Sequence, residues 1–176
     1  MPSGDATATS RSVLFDFNDP AGLDDWFAVN DAVMGGVSTG RMTLHAPGVA
    51  CFSGVVSLGN GGGFASVRTS PRHHATDGAS ALRLRVQGDG RDYKFTARTD
   101  DGFDGVQYQA RFTTAAGAWQ DVRLSGADFV PTFRGRPVPG APPIDFAQLR
   151  AIGFTIADRQ AGPFALLVGR IEAETG

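Results

Sequence analysis

Three glycine-containing segments hold polar side chains that could bind a ligand or act on it. They are residues 30–38, 58–63 and 88–92. In the first segment Asp31 stands shortly before Met34 and a pair of glycines. Asn and Asp in such loops usually bond their own backbone, and paired glycines permit turns that are closed to other residues. The functional alternative is that Asp31 presents a carboxylate, and Met34 an adaptable apolar contact, to a partner.

The second segment contains Gly-Asn-Gly-Gly-Gly-Phe at residues 59–64, which is similar to a glycine-rich nucleotide loop. Phe64 stands where a dinucleotide fingerprint has its third glycine, and the residues that follow are strand-like and not helical. The Gly-Lys-Ser/Thr of a phosphate-binding loop is also missing. We therefore interpret this segment as a tight turn, and the sequence predicts no cofactor.

The third segment reads Gly-Asp-Gly-Arg at residues 88–91 and lies between two alternating runs, which predicts a hairpin turn. A purely structural turn is the first interpretation. The alternative is that Asp89 or Arg91 binds a partner.

Two arginines, Arg134 and Arg136, follow Phe133 closely, and arginine beside an aromatic ring is a combination enriched at protein interfaces. A basic, amide-rich strip along a predicted sheet could receive an acidic partner or sugar hydroxyls, although solvated sheet faces look much the same. Nucleic-acid binding is not predicted, because no aromatic residues are interleaved for base stacking. The strip consists of Arg83, Arg85, Gln87, Lys94, Arg98, Gln107, Gln109 and Arg111.

The sequence predicts neither a metal centre nor catalytic residues. His73 and His74 are adjacent in a polar loop, where neighbours seldom converge on one ion, and no cysteine or acid lies at zinc-ligand spacing. There is no Gly-x-Ser-x-Gly elbow, and no Ser/His/Asp set or carboxylate pair stands out. Oxygen ligands near the first strand could hold Ca²⁺, although a solvated turn is the simpler explanation. These ligands are Asp16, Asn18, Asp19, Asp24 and Asp25, joined by Glu172.

The composition predicts one globular domain. A chain of 176 residues with 41% hydrophobic residues and 13 phenylalanines can bury about 70% of its unfolded surface. We expect the domain to span residues 12–176 after a flexible tail at residues 1–11. The single cysteine, Cys51, excludes an intramolecular disulfide, and its apolar neighbours predict a buried thiol.

Charge and hydropathy exclude some partners and indicate a location. The net charge of −2 gives no general attraction to nucleic acid or to an anionic membrane. No apolar stretch approaches the roughly 20 residues of a membrane-spanning helix, and residues 1–12 lack the apolar segment of a secretory signal. Of the 16 Lys and Arg residues only Lys94 is lysine, a bias that favours a bacterial source. The expectation is a bacterial cytoplasmic protein.

Three successive runs, at residues 81–87, 93–99 and 106–112, alternate between apolar and polar side chains. A period of two is typical of antiparallel strands with one buried and one solvated face. We therefore expect these runs to be neighbours in one sheet.

The remaining short runs complete a pattern poor in helices. The proline-rich stretch at residues 125–143 is predicted to be a loop, and Asp145 to cap a short helix that ends at Arg150. Strand runs at 152–156 and 164–171 are apolar on both faces, which predicts central positions. Many short strands predict an all-β fold, a two-sheet antiparallel β-sandwich. The other strands are expected at 13–17, 26–29, 40–44, 49–57, 64–69 and 119–124.

The order of the strands brings the three glycine-containing segments together. If each strand crosses its sheet once, every second connection lies at the same end of the sandwich. Loops held by a rigid scaffold often carry function. A shared recognition surface at that end is therefore the expectation.

A set of residues between about Phe15 and Glu172 has the order and spacing of a known family. These residues are Trp26, Asn30, Asp31, Met34, Gly35, Gly36, Ser38, Phe52, Gly54, 63–66, Arg68, 88–90, Tyr93, 133–136 and 162–164. On these residues the chain resembles the complex I intermediate-associated protein 30 family. The resemblance implies a jelly roll of the galactose-binding type, in agreement with the sandwich expected from alternation. It also implies a role like that of the eukaryotic members, which act as mitochondrial chaperones for intermediates of the NADH:ubiquinone oxidoreductase.

These features together predict a non-enzymatic domain that contacts a protein partner, an assembly intermediate of respiratory complex I. Trp26, Phe64 and Tyr93 are expected to support the loops from beneath. The alternative is a carbohydrate-binding module of jelly-roll type, for which Trp119 is the obvious exposed aromatic platform. An enzyme is the third alternative and would need a pocket of residues with perturbed pKa values. The candidate contact residues are Asp31, Met34, Asp89, Arg91, Arg134 and Arg136.

Overall fold

The computed structural model of the chain describes residues 10–29, 38–59, 63–102, 105–134 and 136–175. Thirteen strands occupy these ranges. They are β1 (Ser10–Phe15), β2 (Trp26–Ala28), β3 (Thr39–Ala46), β4 (Val49–Val56), β5 (Ala65–Thr69), β6 (Ala79–Gln87), β7 (Asp92–Arg98), β8 (Gln107–Thr113), β9 (Trp119–Ser125), β10 (Val130–Phe133), β11 (Arg136–Pro137), β12 (Ala151–Ile156) and β13 (Gly162–Thr175).

The strands form two antiparallel sheets, which confirms the predicted all-β sandwich. Sheet A has the order β3-β4-β13-β6-β9, with β1 paired to the second half of β13. Sheet B has the order β11-β10-β8-β7-β12-β5-β2. The two strands expected to be central are central, β13 between β4 and β6, and β12 between β7 and β5. β1 begins at Ser10, slightly before the start predicted for the domain.

The predicted sheet of three consecutive strands does not form. β6 pairs with β13 and β9 in sheet A, whereas β7 pairs with β8 and β12 in sheet B. Residues 88–91 therefore carry the chain from one sheet to the other and are not a hairpin turn. Alternation fixes which face of a strand is buried, but it leaves open which strand lies beside it.

The predicted basic strip is divided for the same reason. Arg83 and Arg85 belong to sheet A, and Lys94 and Arg111 belong to sheet B. Arg98 is buried, with 7% of its surface exposed. The strip is therefore not one continuous surface.

The proline-rich stretch at residues 125–143 contains β10 and β11, where a loop was predicted. Pro131 is tolerated because it lies near the edge of sheet B, where β10 has only the two-residue β11 on its outer side. Asp145 caps a 3₁₀ turn, Phe146–Gln148, by accepting the backbone N–H of Ala147 at 3.0 Å. Within the described ranges no helix has the length and apolar character that a membrane crossing requires.

Aromatic side chains fill the space between the sheets. Phe154 of β12 has no exposed surface, and its ring centroid lies 5.3 Å from Phe95, 6.1 Å from Trp26 and 6.5 Å from Phe52. Aromatic pairs in such geometries contribute about 0.5–1.5 kcal/mol each beyond the area they bury. The core is therefore built around aromatic contacts between β12 and its neighbours.

Cys51 lies outside this core, contrary to the prediction of a buried thiol. Ala50 and Phe52 point inward with no exposed surface, so the alternation of β4 turns Cys51 to the outer face of sheet A. The side chain is half-buried there. Partial burial raises the pKa of the thiol, against the opposing influence of a hydrogen bond with Ser53.

The strands approach one another closely at Gly153, in the middle of sheet B. A Cβ atom at this position would lie 2.3 Å from the carbonyl oxygen of Val67 and 2.8 Å from Oγ1 of Thr96. The Val67 oxygen belongs to the backbone of β5, so it has no room to move without disturbing the pairing of β5 with β12.

We expect Gly153→Ala to lower the free energy of unfolding by about 1–3 kcal/mol, because the new methyl group overpacks a sheet centre. Urea unfolding followed by circular dichroism measures this. Gly22→Ala is the matched control, since no heavy atom lies within 4 Å of a Cβ built there. Equal urea midpoints for the two variants would contradict the expectation.

A buried histidine lies in the connection between β5 and β6. His74 has 4% of its surface exposed, and its ring centroid is 6.2 Å from that of Phe15. Burial, followed by the positive charge of Arg72, lowers the pKa of His74 from 6.5 to about 4. The folded protein therefore holds His74 neutral at pH values where the unfolded chain binds a proton.

Because the unfolded chain binds this proton first, stability should fall as the pH is lowered from about 6.5 to about 4, by up to about 3 kcal/mol. We expect the free energy of unfolding to depend less on pH in His74→Leu than in the wild type. His45→Gln, at an exposed histidine on β3 that does not act on His74, is the matched control and should keep the profile of the wild type. Parallel profiles for wild type and His74→Leu would rule this out.

Candidate functional site

The described flanks of the three glycine-containing segments meet at one end of the sandwich. The hydroxyl of Ser38 donates to the carbonyl of Ser57 at 3.1 Å and accepts the N–H of Ser57 at 2.9 Å. The N–H of Val29 donates to the carbonyl of Ser66 at 2.9 Å. These contacts place the flanks of residues 30–37 beside both flanks of residues 60–62.

The start of β7 lies at the same end. Thr155 of β12 is paired with Ser66 on one side and with Lys94 on the other, so the three residues form one row across sheet B. Residues 88–91 directly precede β7. We call this end of the sandwich, with residues 88–92 and 157–162 and the flanks described above, the Asp89 end.

The carboxylate of Asp89 ties the two sheets together at this end. One oxygen accepts the hydroxyl of Tyr93 at 3.0 Å and the backbone N–H of Arg91 at 3.2 Å, and the other accepts the N–H of Ala165 at 2.9 Å. Tyr93 belongs to β7 of sheet B, and Ala165 belongs to β13 of sheet A. Asp89 is therefore a cross-link between the sheets as well as part of a turn.

Tyr93 supports this end from beneath, as the sequence predicted. Its side chain is buried, with 1% of its surface exposed. Burial, followed by the negative charge of Asp89, raises the pKa of the Tyr93 hydroxyl. The hydroxyl therefore stays protonated and remains a donor to Asp89 at physiological pH.

Arg91 and Gln160 hold the neighbouring turn. The guanidinium of Arg91 donates to the carbonyl of Ala161 at 3.2 Å and lies 3.5 Å from Asp89. The side-chain amide of Gln160 accepts the N–H of Asp92 at 2.9 Å and donates to its carbonyl at 2.8 Å. These polar groups are bonded within the chain and hold the turn against the start of β7.

Arg134 and Arg136 lie at the other end of sheet B. Thr132 of β10 is opposite Gln107 at the start of β8, whereas Asp92 is opposite Thr113 at the end of β8. Six residues of strand separate these rows, a distance of roughly 20 Å. The predicted contact residues that the structure describes therefore form two surfaces and not one. Asp31 and Met34 lie outside the described residues.

The turn between β10 and β11 exposes an aromatic ring. Phe133 has 41% of its surface exposed, and the guanidinium carbon of Arg134 lies 5.2 Å from the centre of its ring. Arg134 adopts a φ of 51°, a left-handed conformation that costs a non-glycine residue about 1 kcal/mol or more. We call residues 133, 134 and 136 the hairpin surface.

The acidic residues near β1 serve local structure. Asp16 accepts the N–H of Asn18 at 3.2 Å, and Asp19 accepts the N–H of Ala21 at 3.0 Å. Asp25 forms an ion pair with Arg72 at 3.4 Å. In the part of the chain that the structure describes, no group of three or more His, Cys, Asp or Glu side chains is arranged to hold a metal ion.

One surface feature was not predicted from the sequence. A groove of about 480 Å³ lies on the outer face of sheet A, beside Trp119. Its lining includes Gly169, where the pairing of β13 with β6 shifts by one residue. Sequence reasoning marked Trp119 as exposed, but a bulge in the middle of a long strand leaves no periodic signal.

Comparison with known proteins identifies relatives of the whole sandwich. Residues 15–168 match the family described as Complex I intermediate-associated protein 30. The mitochondrial protein of that name from Drosophila melanogaster is 28% identical, over 92% of this chain and 62% of the relative. The Neurospora crassa protein of that name is 26% identical, over 94% of this chain and 74% of the relative. The chain thus spans about 62% of the length of the Drosophila protein.

Solved structures share the fold. A family 11 carbohydrate-binding module from a cellulosomal cellulase of Clostridium thermocellum superposes with a TM-score of 0.70 and 14% identity, over 94% of this chain and 95% of the module. At this identity the likeness shows the fold alone. It agrees with the jelly roll of galactose-binding type that the family resemblance implied.

We expect Asp89→Ala to lower the free energy of unfolding by about 2–3 kcal/mol, because the buried hydroxyl of Tyr93, the half-buried N–H of Arg91 and the exposed N–H of Ala165 lose their acceptor. Tyr93→Phe removes one of these bonds and should cost about 1 kcal/mol. Chemical unfolding of both variants measures the two values. An Asp89→Ala variant no less stable than Tyr93→Phe would show that Asp89 does not link the sheets.

Proposed function

The chain belongs to the complex I intermediate-associated protein 30 family, and we propose that it is a non-catalytic binding domain that associates with an assembly intermediate of respiratory complex I. The match over residues 15–168 carries this proposal, since it covers both sheets of the sandwich. The curated relatives are named for association with a complex I intermediate. A bacterial cytoplasmic setting remains part of the proposal and rests on the arginine bias; the curated relatives are mitochondrial.

The partner contact in this proposal has two parts, with the hairpin surface as the main one. Phe133 supplies an exposed apolar anchor, and Arg134 and Arg136 supply charged donors beside it. Aromatic and arginine side chains dominate the binding energy of protein interfaces. The cost of the left-handed conformation at Arg134 is also typical of positions that a protein keeps for contact.

The Asp89 end forms the second part of the proposed contact. Asp31 and Met34 are its candidate contact residues, together with Arg91. Asp89 already accepts three hydrogen bonds within the chain. In this proposal it positions Arg91 for the partner.

The positions of the side chains with shifted pKa values support a binding role without catalysis. The two side chains with the largest pKa shifts in the described part of the chain, Tyr93 and His74, are both buried in the fold. Tyr93 lies at the Asp89 end, and His74 lies in the connection that follows the far end of β5. An active site needs such groups together in one cleft.

The alternative, a carbohydrate-binding module, depends on Trp119 as the platform for a sugar ring. Trp119 has 38% of its surface exposed, but the guanidinium carbon of Arg85 lies 5.6 Å from the centre of its ring. A sugar stacking on that face of the indole would have to displace the arginine. This contact makes the alternative weaker than the protein-binding proposal.

An affinity purification with the tagged chain tests the main proposal. The bait is added to a detergent extract of cells that are assembling complex I, and bound proteins are identified by mass spectrometry. We expect complex I subunits with the wild type and at least a fivefold loss with Arg134→Ala plus Arg136→Ala. Asp31→Ala plus Arg91→Ala should give a smaller loss, because this end is the second part of the contact.

Arg41→Ala is the control for the hairpin surface, because Arg41 is exposed on the edge strand β3 of sheet A and the hairpin surface belongs to sheet B. It should retain the partners of the wild type. An eluate without complex I subunits would reject the proposed function. Identical partner lists for the wild type and the Arg134 and Arg136 variant would reject the hairpin surface. Retention by a β-glucan column, lost in Trp119→Ala, would favour the carbohydrate alternative.

A further inference from the structure

An arginine-rich groove crosses the outer face of sheet A, next to its edge strand β9. Its volume is about 480 Å³, which falls within the range of small binding sites, roughly 300–1,000 Å³. It is separate from the hairpin surface, which belongs to sheet B. The groove is lined by Arg11, Arg85, Trp119, Asp121, Gly169, Arg170 and Glu172.

A bulge in β13 forms the floor of the groove. The register between β13 and β6 shifts from Val168 to Arg170, so Gly169 is the extra residue. A Cβ atom at Gly169 would lie 3.5 Å from the ring of Trp119 and 3.5 Å from the side chain of Arg85. These are ordinary van der Waals distances, so Trp119 and Arg85 both lie close to the backbone at the bulge.

The charges in the groove do not cancel. Arg85 forms an ion pair with Asp121 at 3.2 Å, but Arg170 and Glu172 approach only to 3.9 Å. Arg11 forms no ion pair with any residue that the structure describes. With three arginines and two acids among its lining residues, the groove has an excess of positive charge.

Glu174, an acidic residue next to the groove, is already hydrogen-bonded to two arginines. Glu174 accepts hydrogen bonds from Arg83 at 2.9 Å and from Arg123 at 2.6 Å. These bonds, that from Arg83 first, lower the pKa of Glu174. Its carboxylate therefore balances the two arginines that it contacts. In the described part of the chain Arg11 is left without an ion-pair partner, and Arg170 has only the 3.9 Å pair with Glu172.

We propose that this groove docks an acidic segment of a protein partner, with Trp119 as the apolar anchor and with Arg11 and Arg170 binding carboxylates. Charge complementarity selects an anionic partner. Tryptophan and arginine are the side chains that most often dominate a protein interface. Arginine also binds carboxylates through paired N–H donors, which suits aspartate and glutamate side chains.

Two other anionic or polar partners fit the groove less well. A neutral sugar gains nothing from the excess positive charge, and Arg85 already covers one face of Trp119. A single-stranded nucleic acid needs successive aromatic rings for its bases, and Trp119 is the one aromatic side chain that lines the described groove. The proposal goes beyond the proposed function, because it holds whether or not the partner belongs to complex I.

Fluorescence anisotropy with a fluorescein-labelled decaglutamate peptide tests the proposal on the full chain. Saturable binding at low salt, weakened as the salt concentration rises, is the expected result. Arg11→Gln plus Arg170→Gln should weaken binding at least fivefold, and Trp119→Ala at least threefold. Arg41→Gln, which removes one positive charge from the same face at the far edge strand β3, should change the affinity less than twofold.

Circular dichroism of each variant verifies that the sandwich is intact, since all four positions are on the surface. No saturable binding of the peptide would overturn the proposal. So would a loss of affinity per removed charge in Arg41→Gln as large as that in the double variant, because it would show attraction to net charge alone. Displacement of the peptide by micromolar cellohexaose or by a ten-nucleotide oligothymidine, and not by unlabelled peptide, would assign the groove to sugar or nucleic acid. None of these results depends on whether complex I subunits are recovered in the affinity purification.

Discussion

Packing of aromatic rings between the two sheets holds this protein together, and Phe154 lies where many of these contacts meet. Its ring contacts Trp26, Phe95 and Phe112 from sheet B and Phe52 from sheet A. Protein interiors are packed as densely as organic crystals, so rings of fixed shape also fix the spacing and relative position of the sheets. A single cysteine allows no disulfide within the chain to share this task. This aromatic layer therefore fixes the geometry of the surfaces at both ends of the sandwich.

Alternation in the sequence was sufficient to predict the fold class and the buried faces of β6, β7 and β8. The central places of β12 and β13 followed from runs that are apolar on both faces. Alternation failed where the answer depended on long-range pairing. Residues 88–91 have the composition of a hairpin turn, yet they connect β6 of sheet A to β7 of sheet B. Composition also misled at residues 125–143, because prolines are compatible with a strand when the strand lies at a sheet edge.

The candidate site was also predictable only in part, because contacts between residues distant in the sequence leave no local pattern. The order of connections was enough to place residues 88–92 beside the flanks of residues 30–37 and 60–62. The three bonds accepted by Asp89 were not predictable, because Ala165 is distant in the sequence and meets Asp89 only across the two sheets. The separation of Arg134 from Arg91 was hidden as well, since it follows from the direction of β10 beside β8.

The internal bonding of the Asp89 end decides where binding energy can come from. Donors and acceptors that are already paired within the chain gain little by exchanging one partner for another. Exposed aromatic rings beside arginines gain more, because binding removes apolar surface from water and shields a charge. The part of the chain that the structure describes has two such pairs, Trp119 with Arg85 on sheet A and Phe133 with Arg134 on sheet B. The two pairs belong to different sheets, and the aromatic core between the sheets keeps them in place.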